Sequence, residues 1–306
     1  MRLRLFLALF LMFLPSLLHA HALNHPMKVI ATISILGDFA KIIGGDQVWV
    51  YSLVGPDTDS YNYKPVKGDL LSVERADLVI SNGLGLEGWL GQLLLDSKES
   101  VRVVTASKEV QARYGTHGGI DPHAWLNVAH AETYVQNIRD AFVATDPINA
   151  EYYKANATAY LYQLRKLDHW IKLQMGRIPK DKRKFVSGHD AFAYFAAAYG
   201  FTVVPIEGLQ AEPDASATDF PEVLALMKKH KISTLFYENT LPPRVVREMV
   251  QLSSGKMAGM LYAEALSNDE EATNYTDMMK TNIRRIFEAL EGPMEKAPVL
   301  TGPPKQ

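Results

Sequence analysis

The sequence predicts an α/β protein of two lobes, each a parallel β-sheet flanked by helices, joined by one long backbone α-helix. Three observations predict it. Apolar strand-like runs alternate with helical segments in the first half of the chain, a strandless helical stretch follows, and the alternation then resumes. Apolar strands separated by helices read as parallel strands covered on both faces.

Residues 23–145 form the first predicted lobe. "MKVIATI" is a strand, and "SILGDFAKIIGG" is a helix that stops at Gly44-Gly45. "VWVYSLV", "DLVISNG" and "VRVVTAS" are further strands, interleaved with the helices "KGDLLSVERA" and "LEGWLGQLLLDS". Residues 146–176 form the linking helix. Their stretch "DPINAEYYKANATAYLYQLRKLDHWIKLQM" has no glycine, and its only proline lies at the start. Apolar positions recur at three and four: Tyr153, Ala157, Tyr160, Leu164, Leu167 and Ile171. Asp146 and Pro147 read as N-cap and first-turn residues. A helix of roughly 28 residues is ~42 Å long, and without Gly, Ser or Pro spacers it is a rigid strut. Residues 177–292 form the second lobe. Its strands are "RKFVSG", "TVVPI", "ISTLFYEN" and the start of "GMLYAEALS". Its helices are "HDAFAYFAAAYG", opened by His189, then "TDFPEVLALMKKHK", "PPRVVREMVQLSS" and "NYTDMMKTNIRRIFEALEG". Residues 293–306 read as a disordered tail.

The N-terminus "MRLRLFLALFLMFLPSLLHAHA" combines a basic start, a short apolar core and a small-residue cleavage pattern at Ala20-His21-Ala22. That is a secretory signal peptide, residues 1–22, too short for a good membrane span. The chain has no cysteine. A bacterial lipoprotein carries its lipid on an N-terminal cysteine, so the expectation is a free periplasmic protein and not a lipoprotein. Without thiolates, any metal must be held by nitrogen and oxygen. The formal charge of −2 is near balance and no basic stripe stands out, which argues against nucleic acid as a partner.

"GLGLEG" matches G-x-G-x-x-G between a strand and a helix. No acidic residue ends the following strand to hold a ribose, so these glycines are read as shaping a tight turn. No P-loop, G-x-S-x-G or H-E-x-x-H occurs. The histidines are more informative. His123 follows Asp121-Pro122, a turn that fixes the backbone, and precedes Trp125, which can wall a pocket. His123 and His189 each sit at an element boundary, one in each lobe. Ligands of open α/β sheets collect at the carboxyl ends of strands. Loops in that position also bring Asp59 or Tyr61 from "VGPDTDSYNYKP", Glu238 from "FYENTLPP" and Glu264 from "LYAEALS". Two imidazoles with oxygen donors suit zinc, manganese or iron.

Taken in order, "NYKPVKGDLLSVERADLVISNGLGLEGWL", "DPHAWLNVAHAETYVQNI", "SGHDAFAYFAAAYGF", "LFYEN" and "LYAEALS…TNYTDMMKTNIRRI" resemble the cluster A-I substrate-binding proteins of zinc and manganese ABC transporters, the TroA/ZnuA-like family. The resemblance covers nearly the whole mature chain. It implies two lobes, a backbone helix and one metal ion held between the lobes by four ligands. On this sequence these fall on Tyr61, His123, His189 and Glu264. Two positions depart from the family pattern: Tyr61 stands where the family has His, and Glu264 where it has Asp. Glu264 keeps the carboxylate. Tyr61 brings a phenol of pKa ~10, which can ligate as tyrosinate, hold a metal-bound water or only close the pocket. The long His-rich loop of many zinc members is replaced here by "ARYGTHGGI" with His117 alone.

The resemblance implies a receptor, not an enzyme, that delivers a divalent cation to an ABC permease. Zinc is the expected cargo, with manganese or iron as the alternative that Tyr61 favours. A monomer is expected, with a periplasmic metallochaperone as a further partner. A two-lobed metalloenzyme with Glu238 as base is the rival from another class.

Overall fold

The computed structural model describes residues 25–97, 100–116, 118–209 and 220–294. The signal peptide, His117 and all but the first two residues of the tail lie outside this set. In the first lobe, β1 (Met27–Ile33), β2 (Val48–Val54), β3 (Leu78–Ser81) and β4 (Arg102–Thr105) form one sheet in the order β2-β1-β3-β4. All three pairings are parallel. In the second lobe, β7 (Lys184–Ser187), β8 (Thr202–Pro205), β9 (Thr234–Glu238) and β10 (Lys256–Leu261) form a sheet in the order β10-β9-β7-β8, again parallel. The two sheets share one topology. Each lobe's first strand is flanked by its second on one side and its third on the other. The connections therefore diverge at β1/β3 and at β7/β9, and a crevice opens at such a switch point.

The predicted helices form as α1 (Ser34–Gly44), α2 (Lys67–Glu74), α3 (Leu90–Asp96), α5 (Ala150–Arg177), α6 (Ala193–Tyr199), α7 (Phe220–His230), α8 (Arg244–Leu252) and α9 (Tyr275–Glu291), and α4 (Val128–Thr145) joins them. The strut α5 has 28 residues, and all six of its predicted apolar positions are buried. It packs on α1 and α4 of the first lobe and on α6 and α9 of the second. One continuous apolar core includes Phe39 and Tyr134 from the first lobe and Phe185 and Phe236 from the second. A shared core of this kind resists the free domain motion expected of a small polar interface.

Three local expectations are corrected. Asp146 stands at the N-cap position, with Pro147 in the first turn, of the 3-10 turn that leads into α5, but its side chain makes no capping hydrogen bond. Its backbone N–H closes α4 on Phe142 O, and its carboxylate accepts from Asn149 Nδ2 and the Tyr153 hydroxyl, each at 2.7 Å. A 3-10 turn at Pro147–Asn149 separates the two helices. His189 does not open a helix, since α6 begins only at Ala193. Gly188 N–H donates to Glu238 Oε1, Asp190 N–H to Gly208 O, and Ser187 Oγ to His189 O. Ala191 N–H then turns back on His189 O at 3.0 Å, so the chain between β7 and α6 runs as an irregular segment. The segment before His123 is not only a loop: β5 (Arg113–Tyr114) and β6 (Ile120–Asp121) pair antiparallel.

"GLGLEG" forms the tight turn expected of it. Gly83 and Gly85 have φ of 82° and 84°. The N–H groups of Asn82 and Gly83 converge on Glu87, whose carboxylate also accepts from Thr32. The chain's own carboxylate thus fills the place a phosphate would take. Among the described residues, no helix is long and apolar enough to cross a membrane.

Candidate metal centre

The crevice between the lobes gathers side chains from loops at the strand ends of both sheets. His123 follows β6, His189 follows β7, and Glu264 lies three residues beyond β10. All three side chains are buried, and one ligand atom from each lies within 4.8 Å of the others. Glu264 Oε1 is shared: His189 Nε2 stands 3.3 Å from it and His123 Nε2 3.6 Å. These are ion-pair approaches rather than aligned hydrogen bonds. His123 Nε2, both ring nitrogens of His189 and Glu264 Oε2 have no hydrogen-bond partner among the described residues. Buried polar atoms are rarely left unpaired. Three residues that each leave such an atom unpaired, with one ligand atom from each within 4.8 Å of the others, mark a place built for a ligand.

Each imidazole is backed by a second carboxylate. Asp121 Oδ1 lies 2.7 Å from His123 Nδ1 and also accepts the His123 N–H at 2.9 Å. Glu238 Oε2 lies 3.8 Å from His189 Nδ1, and its other oxygen is fixed by Gly188 N–H at 2.9 Å. A carboxylate on Nδ1 favours the tautomer whose Nε2 is free to ligate. Gly188 is needed for this, since a Cβ there would meet Glu238 Oε2 at 2.2 Å. Burial opposes charge on both histidines. For His189 the carboxylates of Glu238 and Glu264 outweigh it and hold the imidazole well above its ordinary pKa; for His123, Asp121 and Glu264 raise it above its ordinary value. Burial likewise opposes the Glu264 charge, but the two imidazoles hold its carboxyl far below the usual range.

The rest of the crevice holds these groups in place. Asn82, at the end of β3, donates to Pro122 O at 3.1 Å and accepts from the Tyr134 hydroxyl at 2.7 Å. Trp125 packs edge-on at 5.4 Å from the His123 ring, as expected for a pocket wall, and its Nε1 donates to Ala263 O at 2.8 Å. The residue before Glu264 is thus tied to the residue pair after His123.

The loop after β2 brings Tyr61 to the same cluster. Its ring, half-buried, is centred 6.3 Å from that of His123. Burial and the carboxylates of Asp121, Glu264 and Asp190 push its phenol well above the ordinary range. It is therefore a neutral hydroxyl here. Asp59, the other reading of this loop, is used locally: its carboxylate accepts from Tyr61 N–H, Asn62 N–H and Asn62 Nδ2. Tyr63 is likewise structural, donating to Asp69 Oδ2 at 2.8 Å. His117 lies outside the described residues. Sequence reasoning noted Asp121 only as a turn residue; its place two positions before His123 was the signal for its role beside the ring.

A two-lobed α/β scaffold, braced by a long helix and closed on a buried N/O donor cluster, is that of a metal-binding receptor. The chain belongs to the family described as zinc-uptake complex component A, periplasmic, whose profile matches residues 29–289. The manganese-binding lipoprotein MntA of Halalkalibacterium halodurans is 36% identical over 266 residues, 86% of this chain and 88% of that one. The manganese ABC transporter substrate-binding lipoprotein PsaA of Streptococcus pneumoniae is 30% identical over 275 residues, covering 86% and 89%. The structure of the periplasmic zinc-binding protein TroA from Treponema pallidum superimposes with a TM-score of 0.81 at 29% identity, covering 87% of this chain and 99% of that one. The chain is thus a metal-capturing substrate-binding component of an ABC transporter and not an enzyme.

One expectation is overturned by these relatives. MntA and PsaA are lipoproteins, against the reading of a free periplasmic protein that is not a lipoprotein. That reading rested on the missing cysteine alone. The folded body is shared with lipid-anchored relatives across most of its length, so nothing in it requires a freely diffusing protein.

Proposed function

We propose that the chain captures one zinc(II) ion on His123, His189 and Glu264, with Tyr61 closing the fourth side as a neutral phenol, and passes it to the membrane components of an ABC importer. The carrying observation is the set of buried, unpartnered ligand atoms on those three residues. The spacing supports zinc. Tetrahedral zinc with bonds of about 2.0–2.2 Å sets its donors about 3.3–3.6 Å apart, and the two imidazole–carboxylate approaches are 3.3 and 3.6 Å. A second reading, manganese(II), is favoured by the cargo in the names of MntA and PsaA and by a donor set no richer in nitrogen than two imidazoles.

The test is a titration with zinc(II) across pH, with manganese(II) as competitor. The raised imidazole pKa values fix the sign of the pH dependence. Protons sit on His123 and His189 in the metal-free protein at pH values where a free imidazole has lost them. Metal must displace them. Affinity therefore rises with pH through neutrality, and it begins to fall above pH ~6.5 as the solution is acidified. Calorimetry in buffers of different ionisation enthalpy should show proton release on binding. Zinc at one equivalent that excess manganese does not displace supports the first reading. Because zinc binds most N/O sites more tightly than manganese does, the cargo is read from protein recovered from cells given both metals. One equivalent of manganese in that protein would establish the second.

A further inference from the structure

The rim of the crevice carries an inter-lobe contact outside the donor cluster. Asp57 lies in the turn after β2, four residues before Tyr61, with left-handed backbone at φ 53°. Its N–H donates to Leu266 O at 2.9 Å. Its Oδ1 accepts from Asn239 Nδ2 at 2.9 Å, and its Oδ2 accepts from Ser267 Oγ at 2.9 Å and from Asn268 N–H at 3.2 Å. Asn239 directly follows Glu238, and Leu266 to Asn268 follow Glu264 by two to four positions. One first-lobe residue therefore holds the two second-lobe loops that carry the buried glutamates. Beneath it, Ser34 Oγ accepts the Leu266 N–H at 3.0 Å, and Trp125 holds Ala263 O. Those inner ties are buried, whereas Asp57 and Asn268 are exposed.

We propose that Asp57 is a positioning residue for metal retention: its carboxylate latches the Tyr61 loop onto the second lobe and sets how slowly a captured ion leaves. The proposal rests on the reading that the buried cluster captures the ion. Contacts on solvent-exposed loops open more readily than those in a packed core. With a shared core holding the lobes together, the exit route is a local opening of this rim, and the Asp57 hydrogen bonds are the outermost it must break. Asp57 is none of the donor residues, so its loss leaves their number unchanged.

The test loads the full chain with zinc(II), mixes it with excess chelator and follows release by stopped flow, for the wild type, Asp57→Gly, Asn239→Ala and the double variant. Glycine adopts the left-handed backbone without strain, so Asp57→Gly removes the carboxylate and leaves the turn. Asn239→Ala removes one of its donors from the other lobe. The expected result is one equivalent of zinc in every variant, an unchanged association rate, and release faster by about tenfold in Asp57→Gly. Asn239→Ala should speed release by less, and the double variant should release no faster than Asp57→Gly, because both changes break one contact. Unchanged release in both single variants, with zinc still held by the wild type, overturns the latch alone. Fully additive effects in the double variant also overturn it. A wild type that takes up neither zinc(II) nor manganese(II) overturns the capture reading, and the latch with it.

Discussion

Glu264→Ala should abolish useful metal capture. Zinc affinity is expected to fall by at least about 100-fold, since even outer partners of metal ligands are worth 10- to 100-fold. The reason lies in the sharing of one oxygen. Glu264 Oε1 approaches both His123 Nε2 and His189 Nε2, and among the described residues no other carboxylate pairs with both. Asp121 and Glu238 face the opposite ring nitrogens. Without Glu264 each imidazole loses one of the two carboxylates that hold its pKa up, leaving Glu238 beside His189 and Asp121 beside His123. Burial then weighs more heavily toward their neutral forms. The variant should therefore lose not only affinity but also part of the proton release on binding. Calorimetry of the variant beside the wild type reads both. A variant that binds zinc within threefold of the wild type, with unchanged proton release, would remove Glu264 from the centre.

Tyr61→His should act in the opposite direction. The phenol is held neutral by burial and three carboxylates, and a neutral phenol is a poor donor to zinc. An imidazole there gives up its proton far more readily than a phenol does and offers a nitrogen donor. Zinc binding should tighten by about 100-fold or more. Tyr61→Phe should change it by no more than about threefold, since only a weak donor is lost. If Tyr61→Phe costs as much as Glu264→Ala, the phenol is a full ligand and binds as tyrosinate. If Tyr61→His changes nothing, the loop does not reach the ion.

The two sheets and the strut were legible because their signals are periodic and local. The apolar strands alternate with helices, and the three-and-four spacing of α5 needs no knowledge of its neighbours. The strand-end rule then narrowed the site to a few loops, and His123, His189 and Glu264 do meet there. Tyr61 arrives from the same rule. What could not be read depends on partners far along the chain. Asp57 meets Ser267 across 210 positions, and Ser34 meets Leu266 across 232; no local pattern marks either pair. Asp146 takes the N-cap position but makes no side-chain cap bond, because Tyr153 and Asn149 claim its carboxylate within a buried helix corner. His189 does not start a helix, and its loop is held by Glu238, from a strand not adjacent in sequence, which takes the Gly188 N–H. Anchoring was misread for a different reason: it was inferred from one absent residue type and not from any contact.

The most direct test of the central claim is anomalous diffraction at the zinc edge from crystals of the zinc-loaded chain. The account predicts a single strong peak between the lobes, about 2.0–2.2 Å from His123 Nε2, His189 Nε2 and a Glu264 carboxylate oxygen. A peak elsewhere, or a fully loaded crystal with these three residues still apart from the metal, would contradict it.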